Sequence, residues 1–197
     1  MSDTIAAFGA DKPLVVGIGG TTRAASSTDR ALRIALYAAE QAGAQTFVFD
    51  GPFLFRLPHY APENPERNEE QRQLVELVRK ADGLIVASPG YHGGVSGLVK
   101  NALDLLEDLR DDERCYLDGR AVGCIVNASG WQACVSTLAA LRSIVHALRG
   151  WPTPLGATLN TSEKLFDATG ACRDEKAGLQ LATVGRHVVE FAHKHRR

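Results

Sequence analysis

Short apolar runs alternate along this chain with longer stretches in which apolar residues return every three or four positions. The short runs read as buried strands: Leu14 to Ile18, Thr46 to Phe49, Leu84 to Ala87, Ala121 to Asn127 and, more weakly patterned, Leu155 to Leu159. The longer stretches read as helices. One starts at Asp29, buries Ala31, Leu32, Ala35, Leu36 and Ala39, and is ended by Gly43. A second, from about Glu66, carries Leu74, Leu77, Val78 and Ala81 on one face. The third runs over 95–109 with Leu98, Ala102, Leu105, Leu106 and Leu109. A fourth carries Leu138, Leu141, Val145 and Leu148 and is broken by Trp151-Pro152-Thr153-Pro154; the last has Leu181, Val184, Val188 and Phe191 as its seam. Between the second strand and second helix, Gly51 to Pro65 holds four prolines and is expected to be a long loop, not a helix. Residues 1–11 read as a loose leader and Arg110 to Gly119 as a charged turn. Strands separated by helices of this length imply right-handed crossovers and a parallel sheet with helices on both faces.

In such sheets ligands bind outside the carboxyl ends of the strands, so the loops after strands one, three and four carry the chemistry. The first is Gly19-Gly20-Thr21-Thr22-Arg23-Ala24-Ala25-Ser26-Ser27-Thr28. Its glycines permit a tight turn, and its hydroxyls and arginine lie beside the free N–H groups of a helix start. That combination suits a phosphate. Ser27 or Thr28 could simply cap the helix, but a cap needs one hydroxyl and the loop offers five. A Walker pattern is absent, and Gly17-x-Gly19-x-x-Thr22 is a broken dinucleotide fingerprint, so a monophosphate fits better. The loop after strand three, Ser88 to Ser96, is rich in small residues around Tyr91, which lets backbone donors approach a flat ring. The third loop, Ser129-Gly130-Trp131-Gln132, adds a hydroxyl, a backbone without Cβ and an aromatic; Trp131 would serve equally as a core or interface residue. Asn127 reads as the end of a strand, and His92 as a loop histidine with no nucleophile spaced against it.

The composition narrows the classes. With 197 residues, 45% hydrophobic and 23% charged, the chain is expected to form one globular domain. A net charge of −1, with acids and bases mixed, provides no footprint for nucleic acid and no strongly acidic docking face. No apolar run approaches the roughly 20 residues of a membrane span, and Met1 to Ala10 lacks the features of a signal peptide. Cys115, Cys124, Cys134 and Cys172 show no metal-type spacing, as expected of reduced packing cysteines in a cytoplasmic protein.

The stretch Ser88-Pro89-Gly90-Tyr91-His92-Gly93-Gly94-Val95-Ser96-Gly97-Leu98-Val99-Lys100-Asn101-Ala102-Leu103-Asp104 resembles the NADPH-dependent FMN reductase family. That family's pattern is Thr/Ser-Pro-Glu-Tyr-Asn-Gly, then small residues, then Gly-x-Leu-Lys-Asn-x-x-Asp. Leu57-Pro58-x-Tyr60 and the first loop match as well, so the resemblance covers roughly residues 13–150. It implies a flavodoxin-like, doubly wound α/β fold with a five-stranded parallel sheet in the order 2-1-3-4-5. By the same resemblance, Thr21, Arg23, Ser26, Ser27 and Thr28 would hold the phosphate of FMN. Pro89, Gly90, Tyr91, His92 and Gly93 would line its isoalloxazine, and Ser129 and Gly130 its other edge. The flavin, and no catalytic side chain or metal, would accept the hydride from NADPH or NADH. Electrons would pass to free flavin, a quinone or a flavin-dependent monooxygenase, and the protein would be a homodimer or homotetramer. The chain departs from the pattern at Gly90, where the acid is common, and at His92, where Asn is common.

Overall fold

The structure, a computed structural model, describes Gly9 and residues 11–196; most of the expected leader lies outside the described residues. A parallel sheet runs through the molecule. Its strands are β1 (Leu14–Gly19), β2 (Gln45–Phe49), β3 (Gly83–Tyr91), β5 (Ala121–Ala128), β6 (Trp151–Pro152) and β7 (Ala157–Asn160), with a short antiparallel β4 (Gly94–Val95). Every residue of β1 and β5 is buried, as expected of central strands covered on both faces.

The order is β2-β1-β3-β5-β6, with β4 paired to β3 and β7 paired to β5. Seven strands therefore replace the expected five in order 2-1-3-4-5, for two local reasons. First, β3 runs on beyond Ala87 and folds back, pairing Gly90 with Val95 and Tyr91 with Gly94. Second, the outermost lane beside β5 is split. Trp151 and Pro152 pair with Ala121 and Val122, and Ala157 to Asn160 pair with Ile125 to Ala128. The interruption contains Pro154, which has no N–H to give a ladder, and Thr153, whose Oγ1 donates to the carbonyl of Leu155 at 2.8 Å.

The helices are α1 (Ser27–Gln41), α2 (Gly51–Arg56), α3 (Glu69–Lys80), α4 (Gly97–Asp104), α5 (Trp131–Ala147) and α6 (Glu175–His195), with a 3₁₀ turn over Leu105–Leu109. Helix α2 corrects the reading of 51–65 as loop throughout. Asp50 caps it by accepting from the Phe53 N–H at 3.1 Å, and Pro52 sits in the first turn, where its missing N–H costs nothing. Helix α3 starts at Glu69, not near Glu66, because Asn68 and Gln71 form a reciprocal capping box. The helix expected over 95–109 is α-helical only over Gly97–Asp104, about two turns shorter, since the chain tightens to 3₁₀ after Asp104. One core lies between the sheet and α2, α3, α4 and α5. The other lies under α1 and α6.

Candidate functional site

A cavity of about 430 Å³ opens at the carboxyl end of the sheet and is lined by Thr21, Thr22, Arg23, Ser26, Ser27, Thr28, Pro89, Gly90, Tyr91, Asn127, Ala128, Ser129 and Thr161. The three loops singled out above thus converge on one space.

The first loop forms the start of α1. Ser26 is the N-cap: its Oγ accepts from the Asp29 N–H at 3.2 Å, and the residue is 2% exposed. The capping role falls to Ser26 and leaves the first-turn amides of Ser27 and Thr28 without intrahelical acceptors. Thr21 Oγ1 accepts from the Arg23 N–H at 3.2 Å, which curls the loop and leaves Arg23 exposed at the rim. The loop is braced from behind by α2. A Cβ on Gly51 would fall 1.9 Å from the Thr21 carbonyl oxygen, so only glycine lets the two backbones meet.

The second loop is the β3–β4 hairpin. Ser88 is fully buried at its base; its Oγ accepts from the Ser96 N–H at 3.0 Å and donates to the Pro89 carbonyl at 2.8 Å. Its two-residue turn is His92-Gly93, both with positive φ, 52° and 80°. That is the geometry of a type I′ hairpin turn, in which Asn-Gly is favoured and His is better tolerated than most residues. His92 and Gly93 are exposed and are not among the residues lining the cavity. Gly90 does line it, and its other side is closed: a Cβ there would lie 2.8 Å from Thr137 Oγ1 and 3.0 Å from Ala128 Cβ. Tyr91, 55% exposed, stands at the rim.

In the third loop, Ser129 Oγ lies 3.1 Å from Ser162 Oγ. The Gly130 N–H donates to Asn160 Oδ1 at 2.9 Å, and Gly130, with φ 102°, precedes α5 without lining the cavity. Trp131 is 53% exposed and lines a neighbouring cavity with Asn160, Glu163 and Lys176. Sequence reasoning missed Asn127, Ala128 and Thr161 as lining residues, and counted Thr22 among the loop hydroxyls without assigning it to the site. Thr22 belongs to a hydroxyl run already visible, and Asn127 is a polar residue closing an apolar strand, which was a usable signal. Thr161 carries none.

Asn127 is 3% exposed, and neither polar atom of its side-chain amide has a hydrogen-bond partner among the described residues. None of the four cysteines lines this cavity. Burial pushes the Cys124 thiol up to about 12. It also raises that of Cys134, whose Sγ donates to the carbonyl of Leu159 at 3.3 Å. Among the described residues no group of three His, Cys, Asp or Glu is placed to hold a metal ion, and no helix is long and apolar enough to cross a membrane.

With this geometry in view, comparison with known proteins is decisive on family. The model of the family described as NADPH-dependent FMN reductase matches residues 13–164. The chain belongs to that family. FMN-dependent NADPH-azoreductases of Staphylococcus aureus and Staphylococcus haemolyticus are 34% and 31% identical over 132 residues. The match takes in 66% of this chain and 66% of the length of each relative. Among solved structures, FerB, a flavoenzyme NAD(P)H:(acceptor) oxidoreductase from Paracoccus denitrificans, superposes with a TM-score of 0.76 at 19% identity, covering 93% of this chain and 98% of that one. The NADH:FMN oxidoreductase EMOB gives 0.70 at 21% identity, covering 93% and 90%. These likenesses establish a flavodoxin-like α/β fold for this member of the NADPH-dependent FMN reductase family.

Proposed function

We propose that the chain binds FMN in the cavity at the carboxyl end of the sheet and reduces it with NADPH or NADH. The observation that carries this is the convergence of a helix start with free first-turn amides, a small-residue hairpin and a hydroxyl-bearing third loop on one space of about 430 Å³. A volume of that order suits a small-molecule or cofactor site. The donor set fits the group. The α1 N-terminus, the hydroxyls of Thr21, Thr22, Ser27 and Thr28 and the Arg23 guanidinium supply donors for a phosphate dianion. Asn127, buried with an orphaned amide on the cavity wall, is the kind of group that a bound ligand satisfies.

When bound, FMN supplies the two-electron chemistry, accepting a hydride from the nicotinamide and giving electrons to a second acceptor. The protein's own part is placement. Ser26 orders the helix start so that the Ser27 and Thr28 amides face the phosphate, and Arg23 neutralises it from the rim. Pro89 and Gly90 would form a wall for the ring, Tyr91 would shield its edge, and Ser129 would meet the opposite side. His92 and Gly93 act one step back, by holding the hairpin turn that fixes Pro89 to Tyr91. Gly130 likewise sets the direction in which α5 leaves. Electrons go on to free flavin, a quinone or a partner flavin-dependent monooxygenase. The working unit is a cytoplasmic homodimer or homotetramer of a single flavodoxin-like domain.

Steady-state oxidation of NADH and NADPH by the purified protein, with and without added FMN, tests the reading. The expected result is turnover that requires FMN and falls in Arg23→Ala. Absence of FMN-dependent turnover with both nucleotides overturns it.

A further inference from the structure

The first candidate outside the assigned loops is the amide of Asn127. Successive side chains of a strand point to opposite faces, so Asn127 shares a face with Ile125 and Gly123. Ile125 belongs to the core under α1 and α6, and a Cβ on Gly123 would meet Val184 and Val188 of α6. Asn127 is paired in register with Pro89 of β3 and Leu159 of β7. It therefore stands at the top of the α1 face, where the cavity passes from the hydroxyl loop before α1 to the ring wall at Pro89. Both Oδ1 and Nδ2 are shielded and neither has a partner among the described residues.

The chemistry of that pair of atoms discriminates between parts of a flavin nucleotide. A phosphate dianion offers acceptors only; it would satisfy Nδ2 and repel Oδ1. An aromatic ring face offers neither. A polyol hydroxyl both donates and accepts and can satisfy the whole carboxamide; so can the pyrimidine edge of the ring, and it is the place of Asn127 beside the phosphate donors that favours the polyol. The position between phosphate donors and ring wall is also where the polyol linker of FMN has to cross.

We propose that Asn127 reads the ribityl hydroxyls of the flavin, its amide turning by a small side-chain rotation into the cavity it already lines. This rests on the FMN reading above and extends it to a residue that neither the family pattern nor the loop motifs contain. A buried amide left without partners costs the unliganded protein stability, and that cost is relieved on binding.

The test uses three probes with wild-type protein and Asn127→Leu, an apolar replacement with the same branching at Cγ. FMN and riboflavin both carry the ribityl chain, and lumiflavin carries the ring without it. Binding is read by quenching of flavin fluorescence, and thermal midpoints are recorded without flavin. The expected result is about tenfold weaker binding of FMN and of riboflavin, for two lost hydrogen bonds. Lumiflavin binding should be unchanged, and the midpoint of the flavin-free variant should equal or exceed that of wild type. Asn127→Asp, which keeps the shape and loses the donor, should also weaken riboflavin and spare lumiflavin. Equal binding of all three flavins by wild type and both variants overturns this inference alone. So does a parallel loss for lumiflavin, or a lowered flavin-free midpoint in Asn127→Leu, either of which would make Asn127 a structural residue. Failure of wild type to bind FMN at all overturns the proposed site together with it.

Discussion

At one end of β5 stands Arg120, at the other Asn127, and both are buried. Arg120 is 1% exposed, and its guanidinium donates from Nε to the Ala81 carbonyl at 2.9 Å, from Nη1 to Tyr116 at 2.8 Å and from Nη2 to Arg79 at 2.6 Å. Burial, and then the charge of Arg114, lower it to about 10, so it remains charged at neutral pH. It ties the end of α3 to the start of β5 through backbone acceptors alone. Asn127 is 3% exposed, and its side-chain amide has no hydrogen-bond partner among the described residues. One strand thus has a structural end, where a costly group is fully engaged, and an open end, where a cheaper group is left waiting. Native proteins satisfy the large majority of their buried polar groups, so an unpartnered amide on a cavity wall calls for an explanation in what the cavity binds.

The largest expected effect that could break this comparison lies at the satisfied end. Arg120→Met strands three carbonyl acceptors and should cost about 3 kcal/mol in urea unfolding, with FMN affinity of the folded protein unaltered. A loss below about 1 kcal/mol would show that the clamp is ornamental. At the open end, Arg23→Ala should weaken FMN by roughly ten- to a hundredfold, the range for a hydrogen bond to a charged group. Riboflavin, lacking the phosphate, should be unaffected; a calorimetric titration of both ligands decides.

The next effect concerns packing at the boundary between the two ends. Gly90→Ala puts a methyl 2.8 Å from Thr137 Oγ1 and should cost about 1–2 kcal/mol of thermal stability. Adding Thr137→Ala should recover part of it, since Thr137 Oγ1 has no partner to lose. The smallest effect is at the hairpin. His92→Asn should change stability by no more than about 0.5 kcal/mol, whereas His92→Val, β-branched at φ 52°, should cost about 1 kcal/mol or more. Equal midpoints for the two would remove the turn explanation for His92.

These last two positions mark the limit of what was legible from the residues. Apolar runs such as Leu14 to Ile18 and Ala121 to Asn127 announced the central strands, because a strand buried on both faces has no polar alternation to blur it. Clustered hydroxyls beside Arg23 marked out a loop that lines the cavity. By the resemblance Gly90 and His92 would both line the ring, but a residue's neighbours across a turn cannot be seen in one dimension. In space His92 is a turn corner that Asn would fill equally, and Gly90 is where α5 presses against the hairpin. The helix at Gly51–Arg56 was hidden for a related reason. Proline was counted as a breaker, while Asp50 and Pro52 together form a helix start. Asn127 was visible as a polar residue but not as an orphan, since the absence of partners is a property of the fold alone.

The central claim is that the open end of the sheet is an FMN site. Titrating FMN with the purified protein while following quenching of flavin fluorescence, in wild type and Arg23→Ala side by side, tests it most directly. The account predicts saturable quenching at one flavin per chain in wild type and a titration shifted at least tenfold to higher protein in the variant. Unquenched FMN, or identical curves for the two proteins, would contradict it.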